Sequence, residues 1–145
     1  MTITSSSFIQ DILIFLRNDL RNFITDPISR TNSFIMTSYP TRDVKYPLIT
    51  IKTTNIETRS LGMSSESHWA TLNIEIRVWA RNEKEKDGLT QEVIDRLRDI
   101  QYGTGGTNDE QIYGFRLLSA VPIEEEGEKT PKSMVMEYQY SAILT

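Results

Sequence analysis

Apolar residues recur at helical spacing near the start of the chain. Ile9, Ile12, Leu13, Leu16, Leu20, Phe23 and Ile24 fall on one stripe, which predicts a helix from about Ser7 to Ile24. Ser5 to Ser7 offer N-cap hydroxyls. Asp26-Pro27 stops the helix, because proline disfavours the α region in the residue before it. Ile14 and Phe15 widen the stripe, which reads more readily as a broad buried face than as a partner-binding edge. The pattern then changes. A short extended piece, Phe34 to Ser38, leads through Tyr39-Pro40 and Tyr46-Pro47 into an alternating run from Leu48 to Glu57, with Ile49 and Ile51 on one side and Thr50 and Lys52 on the other.

Arg59 to His68 is polar, carries Gly62 and reads as a long loop. Trp69 to Arg81 is the clearest strand. Leu72, Ile74, Ile76 and Val78 share one face, and Thr71, Asn73, Glu75, Arg77 and Trp79 the other. A second helix is expected from about Glu83 to Gln101, with Leu89, Val93, Leu97 and Ile100 as its buried stripe. Asn82 and Glu85 resemble a capping box, Gly88 moves the expected start toward Asp87, and Glu92 and Arg96 are spaced to pair on the wet side. Gly103 to Asp109 is a glycine-rich connector. Two strands, about Ile112 to Ile123 and Ser133 to Leu144, form a hairpin around the turn Glu124 to Pro131. Met134, Met136, Tyr138, Tyr140 and Ala142 share one face of the last strand.

The order is α-β-β-β-α-β-β. This is an α+β domain: a mainly antiparallel sheet of four to five strands, with the two helices packed on one face. A chain of 145 residues is one ordinary domain, with no internal repeat or boundary.

Composition narrows the function. The net charge of −4 and the lack of a dense Lys/Arg cluster argue against a nucleic-acid binder, whose affinity comes largely from neutralising phosphates. Arg96 and Arg98 alternate with Asp95 and Asp99 and read as a solvated helix face. With no cysteine there is no disulfide or thiolate metal site. The start at Met1 shows no signal-peptide pattern, and the longest apolar stretch, Ile12 to Leu16, is far short of a membrane span. The chain is expected to be soluble where it is made.

Chemistry is sparse. His68 is the one histidine, it has no companions at metal-ligand spacing, and no serine sits in a nucleophile elbow. Gly103-Thr104-Gly105-Gly106 lacks the lysine and the strand-before, helix-after context of a phosphate cradle. Glu124, Glu125 and Glu126 lack the alternate spacing of a calcium loop and read as a hydrated hairpin tip, usable as a docking handle for a basic partner. No catalytic residue, cofactor or metal is expected. What remains is surface. Trp79 and Arg77 are of the types enriched at interface hot spots, and Trp79 fits equally an interface anchor or an aromatic covered by a helix. Tyr138 and Tyr140 read more readily as covered.

One family shares this layout. An N-terminal amphipathic helix ends near Asp26-Pro27, and Tyr46-Pro47-Leu48-Ile49 opens a strand. The run Ile74-Glu75-Ile76-Arg77-Val78-Trp79-Ala80-Arg81 leads straight into a helix with Leu89, Ile94 and Leu97, and a terminal hairpin carries Glu137-Tyr138-Gln139-Tyr140. The chain resembles the tail terminator, or tail completion, proteins of long-tailed phages and related archaeal tailed viruses, over nearly its whole length. The resemblance implies a structural virion protein of the tail or neck, assembled in the host cytoplasm. It implies a homo-oligomeric ring, typically a hexamer, that caps the tail tube protein, ends tube polymerisation and meets the head-completion or connector protein. Genome DNA would pass through the lumen without sequence-specific binding, and no membrane is involved.

A ring needs two different, complementary patches on each subunit. The candidates are the Arg59–His68 segment, with Leu61 and Met63, and the sheet face with Arg77 and Trp79. Thr107 and Asp109 in the glycine-rich loop, and the acidic turn of Glu124, Glu125 and Glu126, are candidates for axial contacts with tube or neck. Rival readings are another neck or tail component, such as a head-closure or tail-tube subunit, and a small ligand-binding α+β domain.

Overall fold

A computed structural model describes residues 8–30, 33–39, 45–60, 62, 68–101, 113–123 and 132–144. Helix α1 spans Phe8–Phe23, and strand β1 is the short Ile35–Met36. Strands β2 (Leu48–Ser60) and β3 (His68–Ala80) precede helix α2 (Glu83–Gln101); β4 (Tyr113–Ile123) and β5 (Lys132–Leu144) follow it. The fold is α+β in the expected order. The strands form one sheet ordered β1-β2-β3-β5-β4. All pairs are antiparallel except β1 with β2, which is parallel, so the sheet is mixed.

Both helices pack on the same side. Even-numbered residues of β3 from Ala70 to Ala80 are fully buried, and those from Ala70 to Val78 share one core with Ile12, Leu16 and Leu20 of α1 and Leu89, Val93 and Leu97 of α2. Ile49 and Ile51 of β2 and Met136, Tyr138 and Tyr140 of β5 join the same core. The tyrosines are therefore core residues; Phe115 stacks on Tyr138 with ring centroids 5.3 Å apart. Burial pushes both phenol pKa values up, so these rings stay neutral.

Several local expectations change. Arg59 and His68 are not loop residues. β2 runs on to Ser60, and Arg59 pairs with Trp69 and Ser60 with His68, because the ladder to β3 holds a polar sequence extended where its own composition does not. Helix α2 starts at Glu83, ahead of Gly88, since the Asn82 side chain accepts the Glu85 N–H at 2.9 Å. The capping box is only half formed: Glu85 reaches back to the Arg81 N–H rather than to that of Asn82.

Arg96 is the larger correction. It is neither solvated nor paired with Glu92. Its guanidinium is buried against Asp19 of α1 and lies over the Phe23 ring, 3.4 Å from the centroid. A guanidinium can leave the solvated face when a carboxylate and an aromatic ring replace its water. Arg98, by contrast, is exposed and pairs with Asp95. Ile9 and Phe23, counted in the buried stripe of α1, are exposed. The chain leaves α1 through an Asx turn: the Asp26 carboxylate accepts N–H groups from Ile28 and Arg30, and the Arg30 guanidinium clamps it at 2.8 Å. Arg30 also donates to the carbonyl of Pro47, which ties this turn to the entry of β2; the Tyr46–Pro47 peptide bond is cis.

Candidate interaction surface

Strand alternation gives the sheet a second face, opposite the helices. It carries Thr50 and Lys52 of β2, the odd residues of β3, and Ser133, Val135, Glu137, Gln139 and Ser141 of β5. Among the described residues no helix covers it. The odd residues of β3 are half-buried rather than sealed.

Much of this face is knitted by polar pairs across the strands. Lys52 and Glu75 form an ion pair at 2.9 Å, Gln139 donates to Asn73 at 3.3 Å, and Arg116 donates to Gln139 at 2.9 Å. Thr71 and Ser141 lie 3.4 Å apart. Such exposed pairs each contribute little, about 0.2–1 kcal/mol, and mainly define register.

One corner differs. The Arg77 guanidinium sits 3.8 Å from the centre of the Trp79 ring, and it donates to the Ser133 hydroxyl at 3.2 Å. The Trp79 indole N–H reaches the Thr50 hydroxyl at 3.4 Å. The Tyr39 ring meets Trp79 edge-on, with centroids 5.3 Å apart, and its hydroxyl lies 2.9 Å from that of Tyr46. A stacked cation and T-shaped rings hold the indole in one orientation, each contact worth about 0.5–1.5 kcal/mol. Val135 pairs in register with Arg77, and Val121 lies beside Val135 on β4. Val121 is 51% exposed and Tyr39 48%. Trp79 thus stands in an amphipathic patch, ordered and still partly accessible.

Among the expected contact residues, the structure brings together Arg77 and Trp79 and adds Tyr39, Val121 and Val135. Nothing in the local sequence marks the last three; Val121 and Val135 are placed by the register of β4 on β5 and of β5 on β3, and Tyr39 by the segment between β1 and β2, which sets its ring against Trp79. Arg59 is exposed but lies at the other end of the sheet. It faces Trp69, ten residues before Trp79 on β3, or about 33 Å at the usual strand rise. His68 opens β3, and its side chain lies outside the described residues, as do Leu61, Met63, Thr107, Asp109, Glu124, Glu125 and Glu126.

Two other features bear on chemistry. An open groove of about 500 Å³ lies between the end of α1 and the start of α2, lined by Thr25, Pro27, Asn82, Lys84, Gly88 and Leu89 among others. Among the described residues no group of three or more His, Cys, Asp or Glu side chains is placed to hold a metal ion, and no helix is long and apolar enough to cross a membrane. No protein-family model matches the chain, and no curated protein matches its sequence.

Proposed function

We propose that the chain is a structural subunit of a tailed-virus particle: a tail terminator that assembles into a ring, typically a hexamer, on the end of the tail tube and joins the tail to the head or neck. The observation that supports this reading is the Arg77–Trp79–Tyr39 patch. A half-exposed, pre-oriented tryptophan capped by arginine has the make-up of an interface anchor. A head-to-tail contact needs two unlike surfaces on one subunit, and this patch supplies one of them. The element order agrees with the family that the sequence resembles.

In this reading the tail tube protein and the head-completion protein are the axial partners, through Thr107, Asp109 and the acidic turn of Glu124, Glu125 and Glu126. DNA passes through a lumen that an acidic chain does not grip. The role needs no reacting group. The groove beside Gly88 favours a second reading, a small-ligand domain, and leaves it open to direct ligand screening.

Negative-stain microscopy and light scattering on the purified wild type and on Trp79→Ala test the proposal. Rings in the wild type that give way to smaller species in the variant are the expected result. A wild type that stays monomeric at high concentration, or a variant with unchanged assembly, would overturn it.

A further inference from the structure

The two edges of the sheet are built differently. At β2, the Ile49 N–H donates to the Phe34 carbonyl at 2.8 Å, which is away from β3 and out of the sheet edge. N–H direction alternates along a strand, so those of Ile51 and Thr53 point out as well. The register slips between Thr53 and Asn55, and Ile56, Thr58 and Ser60 then face Leu72, Ala70 and His68. These belong to the same alternating set of β3 residues as the partners of Ile49 and Ile51, so their N–H groups also point outward. β1 covers only Ile49 and Thr50, which leaves the edge from Lys52 to Ser60 unpaired among the described residues.

The opposite edge is blunted. By the same alternation along β3, β5 and β4, Ala120 and Pro122 face outward on β4. Proline has no N–H to offer there, and an irregularity between Leu117 and Ser119 interrupts the row. Strand addition at β4 is disfavoured, and at β2 it is not.

The residues along the β2 edge specify a partner. Glu57-Thr58-Arg59 is self-complementary when two copies run antiparallel. Pairing about Thr58 sets Thr58 against the other copy's Thr58 and Ile56 against its Ser60, all outward-facing N–H positions. Glu57 then faces Arg59 of the other copy, twice over, at the positions where side chains come closest. Both side chains are exposed, and among the described residues neither forms an ion pair. Charges on an edge ordinarily deter pairing; in this register they attract, whereas a slip of two residues that sets Glu57 against Glu57 or Arg59 against Arg59 places like charges opposite each other. Ile56, 40% exposed, is covered by the same contact.

We infer that the free edge of β2 is a docking site for the β2 edge of a second copy of this chain, through antiparallel strand pairing about a two-fold axis at Thr58. The contact is isologous and closes after two copies, whereas a ring grows by unlike patches. It therefore stands independently of the ring reading. In a ring-forming protein it joins rings in pairs; without a ring it gives a dimer.

Sedimentation velocity on the full chain tests it by charge swap. Glu57→Arg and Arg59→Glu alone place like charges opposite each other, and each raises the dissociation constant of the two-fold contact at least about tenfold. The double variant Glu57→Arg/Arg59→Glu restores the wild-type value within about threefold, because the pairs re-form reversed. Thr58→Pro removes an outward donor without removing a bond to β3, and it abolishes the contact while far-UV circular dichroism stays unchanged. In hydrogen exchange, the amides of Ile56, Thr58 and Ser60 are protected at high concentration and lose protection on dilution. Single reversals without effect, a double variant no better than the singles, or concentration-independent exchange would overturn the inference. Trp79→Ala separates the two ideas: it removes the ring and leaves the β2 contact.

Discussion

The Arg96 guanidinium of α2 holds the Asp19 carboxylate of α1 through two hydrogen bonds of 2.7 and 2.8 Å, with both side chains more than nine-tenths buried. Seventy-seven residues separate the two in sequence. The pair fixes how the helices lie against each other and, through them, how the core side of the sheet is covered. Its bidentate geometry and the Phe23 ring over the guanidinium offset the desolvation of two charges. The hydrogen bonds that Arg96 donates to Asp19 hold the Arg96 pKa above its ordinary value.

Removing one partner leaves the other charge buried and alone. Asp19→Ala is expected to destabilise the fold by about 3–5 kcal/mol, measured by urea denaturation. Replacing both, Asp19→Leu with Arg96→Met, is expected to recover most of that loss, because a buried ion pair has little net advantage over packed apolar groups. Equal losses in the single and double variants would contradict this account.

Gly88 lies inside α2 with nothing within 4 Å of the position a β-carbon would take. Gly88→Ala costs no packing and narrows the unfolded ensemble. An increase of about 0.5–1 kcal/mol in stability is expected, seen as a higher urea midpoint with an unchanged slope.

The Tyr138 hydroxyl is buried and finds no hydrogen-bond partner among the described residues. Tyr138→Phe removes that buried polar atom and keeps the stack on Phe115. The variant is expected to be as stable as the wild type or up to about 1–2 kcal/mol more stable. A loss of more than about 1 kcal/mol would mean that the hydroxyl is satisfied in solution.

Acid weakens the fold through Asp26 and Glu85. Burial by itself would raise the Asp26 pKa, but hydrogen bonds from Arg30 and from the backbone N–H groups of Ile28 and Arg30 leave it lowered. Hydrogen bonding to Arg81 lowers that of Glu85. A carboxyl held below its unfolded value, about 3.9 for Asp and 4.3 for Glu, stabilises the folded chain above that value, and the contribution is lost as pH falls through the folded value. Thermal stability is therefore expected to be level from pH 7 to about pH 5 and to drop below about pH 4. Asp26→Asn with Glu85→Gln should be less stable at pH 7 and show a shallower acid decline.

The sequence by itself determined the element order and the two strongest elements. Period-two alternation in Trp69–Arg81 and the helical stripe of Leu89, Val93 and Leu97 are local patterns, and local patterns survive without knowledge of the partner. Arg77 and Trp79 were legible as a candidate contact because their position on the strand placed them opposite the core. Tertiary structure alone decided the rest. Arg96 looked solvated because its ion partner is on another helix. The β2 strand looked shorter than it is because β3 supplies the hydrogen bonds that hold Thr58, Arg59 and Ser60 extended. Val121 and Val135 join Trp79 only through cross-strand register and Tyr39 only through the path of the chain between β1 and β2, and among the described residues the donors of Ile56 and Thr58 are left without a strand partner because β1 stops at Met36. Pairing between distant segments is set by which surfaces meet in the folded chain, and no periodicity within one segment carries that information.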